Sequence, residues 1–256
     1  MNFIEKYKKA VKEKNSILCL GLDPKIKESS LMRIREEKAE FIFEMISKLH
    51  EYCSAIKINR QFVLDLTPAD LKQLTDYAKE KGLVCIADHK LSDIGNTNFA
   101  ALETIQKEGF DALTILPFPG NTEETSRKAH ELGLGVIVLA LMSNPEYEQI
   151  KNSSVGSEPM FVYCAKQAAQ FADAVVIGAP SEKNHLSMDE VKKVKEIIGD
   201  RLVLMPGVGA QGGEAEEMIK TFGENLIINV GRGIIQDQNP VEAAKKYNEM
   251  FNKLRK

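Results

Sequence analysis

Residues 54–90 read SAIKINRQFVLDLTPADLKQLTDYAKEKGLVCIADHK. Two short apolar runs, 54–58 and 84–90, stand on either side of a helix-like stretch that opens at Pro68 and stops at Gly82. Proline is tolerated in a first helical turn, and glycine is the usual residue just past a helix end. Consecutive parallel strands need a crossover, which is usually a helix. The stretch therefore predicts one strand–helix–strand unit of a parallel sheet.

The same unit recurs along the whole chain. Eight apolar runs rich in Val, Ile and Leu are each followed by a helix-like segment: ILCLGLD (17–23), SAIKI (54–58), VCIADHK (84–90), ALTILP (112–117), GVIVLALM (135–142), AVVIGA (174–179), LVLMPGV (202–208) and LIINVGR (226–232). Eight units in 256 residues predict a closed (β/α)8 TIM barrel, for which about 250 residues is typical. An open doubly wound sheet is the structural alternative. We expect one domain over 1–256, with an extra N-terminal helix at about 2–14 that closes the barrel bottom.

Composition excludes several classes of function. Lys and Arg number 34 against 37 Asp and Glu, which argues against a basic nucleic-acid footprint or a polybasic membrane anchor. The four cysteines lie far apart without a C-x-x-C pair, so neither the usual zinc spacing nor a disulfide framework is indicated. The longest apolar-and-glycine run, 133–142, is half a membrane span. We expect a soluble protein of the reducing cytoplasm, with no nucleic-acid or membrane partner.

The charged residues at the end of the third run point to chemistry. Residues 86–97 read IADHKLSDIGNT, and period-two alternation places Asp88 and Lys90 on the inner face of this strand. Asp93 follows in the loop, and Lys57 ends the preceding strand. A lysine between carboxylates is held protonated, which suits a proton donor or electrostatic stabiliser rather than a Schiff-base nucleophile. An ion-pair network that only completes the barrel rim is the structural alternative.

The pattern I-x-D-x-K-x-x-D-I-x-x-T in this stretch closely resembles the signature of the orotidine 5′-monophosphate decarboxylase family. Other predicted strand ends match in the same order: Leu22-Asp23-Pro24, Ala55-Ile56-Lys57, Leu141-Met142-Ser143, the glycine-rich segment that begins at Pro206, and Val230-Gly231-Arg232. Six of the eight strand ends thus resemble the family, from about residue 17 to 236. The family fold is the barrel that the hydrophobic pattern predicts.

The resemblance implies a reaction and its catalytic residues. Members of the family convert orotidine 5′-monophosphate to uridine 5′-monophosphate and carbon dioxide in de novo pyrimidine biosynthesis, without metal or organic cofactor. By resemblance, Lys90 stabilises the carbanion at C6 and protonates it, and Asp88 lies near the departing carboxylate. Lys57 and Asp93 complete an alternating network of charges with them.

The resemblance also implies the residues that bind the substrate. Asp23 and Lys57 would contact the ribose hydroxyls, Ser143 the pyrimidine amide edge, and Gln211, Gly231 and Arg232 the 5′-phosphate. Pro206 is assigned to substrate binding in the same way. Asp93 and Thr97 reach the site of a partner subunit in the family, which implies a homodimer with shared sites.

A glycine-rich segment at 207–212 also fits G-x-G-x-x-G, the dinucleotide-binding pattern. That reading needs an acidic residue at the end of the next strand, where Asn229-Val-Gly-Arg232 stands instead. A phosphate cup built from the last two loops of a barrel fits better.

Four other possibilities remain open. A magnesium-dependent 3-keto-gulonate 6-phosphate decarboxylase or hexulose phosphate synthase of the same superfamily shares the D-x-K-x-x-D pattern. Those enzymes place an acidic magnesium ligand near Lys57, where a lysine would repel the cation. A Schiff-base aldolase and a catalytically inactive barrel that serves as a binding partner are the others.

The segment 144–158 fits a lid over the site or a plain surface loop equally well.

Overall fold

The predicted apolar runs form one closed barrel of eight parallel strands in a computed structural model, which describes residues 1–26, 30–182, 184–208 and 213–255. The barrel strands are β1 (Leu18–Leu22), β2 (Ala55–Asn59), β3 (Val84–Leu91), β4 (Ala112–Ile115), β5 (Gly135–Leu141), β8 (Ala174–Ile177), β9 (Leu202–Pro206) and β10 (Leu226–Val230). A separate two-stranded sheet consists of β6 (Ser154–Val155) and β7 (Glu158–Pro159). The order round the barrel is β1-β2-β3-β4-β5-β8-β9-β10, and β10 pairs with β1 to close it. The TIM-barrel prediction is confirmed, and the open doubly wound sheet is excluded.

Helices connect the strands and cover the outside of the barrel. They are α1 (Phe3–Lys14), α2 (Leu31–Leu49), α3 (Pro68–Glu80), α4 (Gly95–Lys107), α5 (Thr122–Glu131), α6 (Tyr147–Lys151), α7 (Met160–Phe171), α8 (Met188–Ile198), α9 (Gly213–Phe222), α10 (Arg232–Ile235) and α11 (Pro240–Leu254). Helix α3 begins where the sequence predicts a helix start. Thr67 and Asp70 form a capping box, and Pro68 is the first residue of the helix. Gly82 ends the unit with φ 77°, a left-handed conformation that glycine adopts without strain.

Helix α1 is the predicted extra N-terminal element, and it closes the barrel bottom. Phe3 and Tyr7 on its inner face are fully buried. The Phe3 ring lies against Gly135 at the start of β5, where an added Cβ would come within 2.5 Å of it. The Tyr7 hydroxyl donates to the carbonyl of Leu226 at the start of β10. The opposite, carboxyl ends of the strands are therefore free for a site.

Two connections differ from a plain loop. The connection that spans the predicted segment 144–158 contains α6 and the antiparallel β6–β7 pair, which ends at Pro159, so it has its own secondary structure. The side chain of Lys151 ties it to the next connection, since its ammonium contacts the carboxylate of Glu190 at 2.6 Å and donates to the carbonyl of His185. After β1, helix α2 already begins at Leu31. Within the described part of the chain, no helix is long and apolar enough to cross a bilayer.

Candidate active site at the carboxyl ends of the strands

The polar residues singled out in the sequence lie at the carboxyl ends of neighbouring strands. Pro206 ends β9, Arg232 follows β10, Asp23 follows β1, and Lys57 lies near the end of β2. Strand β3, next in the barrel, carries the D-x-K pair. Closure of the barrel thus brings segments more than 200 residues apart in sequence to one rim. This is the face on which TIM barrels carry their active sites.

Asp88 joins the two lysines. Its Oδ2 accepts from the Lys57 ammonium at 2.7 Å and its Oδ1 from the Lys90 ammonium at 2.5 Å. The environments of the two cations differ, because the Lys57 side chain is 6% exposed and that of Lys90 is 43% exposed. The Lys57 ammonium is therefore the more deeply buried partner of Asp88, and the Lys90 ammonium is the one more open to the barrel mouth.

The electrostatics of the cluster keep its charges in place. Burial alone would raise the pKa of Asp88, but Lys57 and Lys90 outweigh it and bring that pKa down to about 2. Burial likewise would lower the pKa of Lys57, yet the negative charges of Asp88 and Asp23 hold it above its usual value. The buried Asp23 Oδ1 has no hydrogen-bond partner within the described residues. Asp23 thus adds negative charge close to the Lys57 ammonium.

Lys90 departs from the regular alternation that the sequence predicts. Its φ is 53°, a left-handed conformation, and the pairing of β3 with β4 shifts register between Ala87 and Leu91. Such an irregularity next to an active site re-aims a side chain. The Lys90 side chain still contacts Asp88, so the two predicted charges do lie together. The regular strand backbone from which the sequence predicts this contact is absent at Lys90.

Asp93 does not join this cluster within one chain. Its side chain is exposed, its Oδ1 accepts from the backbone N–H of Ile94, and the described residues provide no ion pair to it. The sequence predicts that Lys90 lies between two carboxylates of its own chain. Among the described residues, Asp88 contacts it and Asp93 does not. Asn98 and Asn121 both donate to the Asp93 carbonyl, at 2.8 and 3.1 Å, and fix the loop. Thr97 on the first turn of α4 is also exposed.

The residues expected to bind the pyrimidine and phosphate lie elsewhere on the same rim. Ser143 lies next to Gly178 beyond β8, where an added Cβ would come 2.9 Å from the Ser143 Cβ. Gly231 packs on Gly21 of β1, and Arg232, the first residue of α10, is exposed. Gln211 lies outside the described residues. The rim thus presents a hydroxyl beside β8 and an exposed arginine just after β10.

Comparison with known proteins identifies the family. The orotidine 5′-phosphate decarboxylase / HUMPS family model matches residues 16–247. The chain belongs to this family. Its relatives include the orotidine 5′-phosphate decarboxylases of Cupriavidus metallidurans, 30% identical over 92% of this chain and 89% of that protein, and Methanosarcina mazei, 32% identical over 91% and 93%.

Solved structures agree with the family assignment. The orotidine 5′-monophosphate decarboxylase from Methanocaldococcus jannaschii, complexed with the inhibitor BMP, aligns with a TM-score of 0.71 and 28% identity over 92% of this chain and 98% of that one. The Leishmania donovani OMP decarboxylase, at 23% identity, shares the fold with a TM-score of 0.83 over 100% and 99%. The family that the strand-end motifs resemble is thus confirmed.

Sequence reasoning missed one polar residue of this site. Thr114 lies in the apolar run of β4 and is 1% exposed. Its hydroxyl accepts from the backbone N–H of Lys90 at 2.9 Å and donates to Asp88 Oδ1 at 3.1 Å. The available signal was a single hydroxyl residue within an otherwise apolar strand next to β3.

Proposed function

We propose that this protein is an orotidine 5′-monophosphate decarboxylase, which forms uridine 5′-monophosphate and carbon dioxide in de novo pyrimidine biosynthesis. The observation that carries the proposal is the Lys57–Asp88–Lys90 cluster, in which one ionised carboxylate holds two ammonium groups at the barrel mouth. The relatives named above carry this activity in their names, at 30% and 32% identity over nearly the whole chain.

Lys57 supports this activity over the magnesium-dependent alternative. The family covers two groups of enzymes, and membership alone does not choose between them. The Lys57 ammonium lies 2.7 Å from Asp88 Oδ2, so a divalent cation at this carboxylate would meet a buried positive charge. The expected metal ligand of the alternative is replaced by a group that repels metal.

The cluster suits a decarboxylation that has no electron sink in the substrate. When the bond between C6 and the carboxylate breaks, carbon dioxide leaves and the electron pair remains on C6. A preorganised cation stabilises such a developing charge without reorganisation. We assign this role to the Lys90 ammonium, which then transfers a proton from Nζ to C6. Because its side chain is 43% exposed, water can restore the proton after turnover.

Asp88 and Lys57 prepare Lys90 for this step. Asp88 accepts from both ammonium groups, so it fixes the position of Lys90 Nζ and stays ionised, with a pKa of about 2. Lys57 and Lys90 together compensate the charge of Asp88. We assign Asp88 to the region of the departing carboxylate, and Asp23 together with Lys57 to the ribose hydroxyls.

The remaining contacts follow the rim. We assign Ser143 to the pyrimidine amide edge, Pro206 to the substrate ring, and Gln211, Gly231 and Arg232 to the phosphate. A guanidinium is a strong partner for a phosphate, because it offers paired charge-assisted hydrogen bonds. The phosphate is remote from C6, so its binding energy can hold the reacting ring against Lys90.

We further propose a homodimer in which Asp93 and Thr97 contribute to the partner's site. Asp93 is exposed on a loop that two asparagines fix. Large apolar side chains are exposed in the connections that follow the three adjacent strands β2, β3 and β4: Leu64, Ile94 and Phe118, at 68%, 65% and 45%. Burial of such a patch against a second copy would present Asp93 to that copy.

Subunit mixing tests this arrangement. Lys90→Ala and Asp93→Ala homodimers should each be inactive. If subunits exchange at random, about one site in four regains both groups, and activity returns on mixing. A monomer in sedimentation, or no recovery after proven exchange, contradicts the shared site.

The activity itself is tested with purified protein and orotidine 5′-monophosphate in the presence of EDTA. The substrate absorbance should fall, and one carbon dioxide should form for each uridine 5′-monophosphate. No turnover of this nucleotide, with magnesium-dependent release of carbon dioxide from 3-keto-gulonate 6-phosphate, would replace this proposal by its alternative.

We place the reaction in the cytoplasm, because all four cysteines are free and buried, as expected under reducing conditions.

A further inference from the structure

The backbone of Lys90 is held in a conformation that lysine rarely adopts. Its φ of 53° places it in the left-handed region, in which the side chain crowds its own carbonyl group. Among the described residues, the other non-glycine residue with positive φ is Asn15, which ends helix α1. Asparagine is common in that role, whereas lysine within a strand is not. Contacts around Lys90 must therefore stabilise this conformation.

Thr114 supplies such a contact from the neighbouring strand. Its Oγ1 accepts the backbone N–H of Lys90 at 2.9 Å, where the register between β3 and β4 shifts. The regular ladder is interrupted there, so this hydroxyl replaces a backbone carbonyl as the acceptor. The same hydroxyl donates to Asp88 Oδ1 at 3.1 Å.

The direction of these two hydrogen bonds is fixed by chemistry. A backbone N–H can only donate and an ionised carboxylate can only accept, so the single hydroxyl proton points to Asp88. Asp88 Oδ1 also accepts from the Lys90 ammonium at 2.5 Å. Thr114 therefore contacts Lys90 at its backbone and, through Asp88, at its charged end.

We propose that Thr114 is a positioning residue, which holds the backbone of Lys90 and the carboxylate of Asp88 in the relative geometry that proton transfer to C6 requires. The inference rests on the proposed decarboxylation. Thr114 is 1% exposed and both hydrogen bonds of its hydroxyl go to Lys90 and Asp88, so it acts through these two residues. Its branched Cβ restricts χ1, which keeps the hydroxyl aimed at both partners.

The proposal predicts a specific kinetic defect. Thr114→Val keeps the shape of the side chain but removes the hydroxyl, which leaves the Lys90 N–H without its acceptor and Asp88 with one donor fewer. Because the ammonium of Lys90 acts in the transition state, kcat should fall by about 10- to 100-fold while KM changes by less than about threefold. Thr114→Ser restores the hydroxyl and should retain kcat within about threefold of the parent.

Thr75 provides a matched control. It is also fully buried, and its hydroxyl donates to the carbonyl of Glu108 from helix α3, outside the barrel. Thr75→Val makes the same chemical change and should lower the thermal stability without changing kcat. A comparable loss of kcat in Thr75→Val would mean that any lost buried hydroxyl slows this enzyme, and would overturn the role of Thr114.

Kinetics and thermal unfolding of the parent and the variants, measured at one protein concentration, decide between these outcomes. Thr114→Val within threefold of the parent, or Thr114→Ser as slow as Thr114→Val, overturns the positioning role. If the valine variant does not fold, Thr114→Ala removes the same hydroxyl and should show the same loss of kcat. A parent that does not convert orotidine 5′-monophosphate refutes the proposed function instead, so the two failures are distinguishable.

Discussion

The two lysines that share Asp88 should respond differently to the same substitution. Lys57→Met removes a buried cation and leaves Asp88 and Asp23 near each other without it. Removing one partner of a buried ion pair costs about 3–5 kcal/mol. Since Lys90 still pairs with Asp88, we expect the lower end, about 3 kcal/mol, which corresponds to a Tm about 6–12 °C lower in a chain of this size.

Lys90→Met should be milder for folding and more severe for catalysis. The Lys90 side chain is 43% exposed, and Asp88 keeps the contacts from Lys57 and Thr114. The loss of stability should therefore be about 1 kcal/mol or less, as for a solvent-screened pair. The loss of kcat should exceed about 10³-fold, because both the stabilising charge and the proton source are removed.

Urea unfolding and thermal melts, at one fixed protein concentration, give the stabilities, and orotidine 5′-monophosphate turnover gives the activities. Lys72→Met serves as a control, because the Lys72–Asp76 pair is half exposed on helix α3 and should contribute less than about 1 kcal/mol. This division of roles is refuted if Lys90→Met destabilises the fold as much as Lys57→Met, or if Lys57→Met stays within about 1 kcal/mol of the parent. Burial would then not explain why one lysine stabilises the fold and the other serves catalysis.

Three further predictions concern the phosphate, pH and metal. Arg232→Ala should lower kcat/KM for the nucleotide by at least about 10²-fold, and steady-state kinetics should show a much smaller effect with the unphosphorylated nucleoside; equal losses would remove Arg232 from the phosphate site. The pKa of Asp88 is lowered from 3.8 to about 2, so its pairing stabilises the fold above about pH 4 and is lost as the pH falls through 2, a change of about 2 kcal/mol. In Asp88→Asn, the free energy of unfolding measured with urea should depend less on pH over this range than in the parent. An unchanged dependence would contradict the lowered pKa of Asp88. Activity should survive exhaustive EDTA treatment, because the buried Lys57 ammonium beside Asp88 would repel a divalent cation. A reversible magnesium requirement would favour the alternative enzyme.

The sequence alone predicted the eight barrel strands, the barrel itself and the rim at which Lys57, Asp88 and Lys90 come together. Each of these features depends on local periodicity and on chain order, which are visible without coordinates. The apolar runs recur with helix-like stretches between them, and parallel strands in that order leave few other closed arrangements. The D-x-K pair could likewise be placed on one inner face, because the two residues are two apart on one strand.

The tertiary structure decided which of the charged groups touch and how deeply each is buried. The shift of register at Lys90 and the hydrogen bond that its backbone N–H donates to Thr114 depend on the pairing of two strands, between residues 24 apart. Asp93, only three residues after Lys90, is exposed and forms no ion pair with it in the described part of the chain, and Asn98 and Asn121 both donate to the Asp93 carbonyl. The different exposure of Lys57 and Lys90 follows from their depth in the closed barrel, and the residue type does not encode that depth. Spacing along the chain fixes which residues come to the rim, whereas packing between strands fixes the geometry that determines their pKa values and roles.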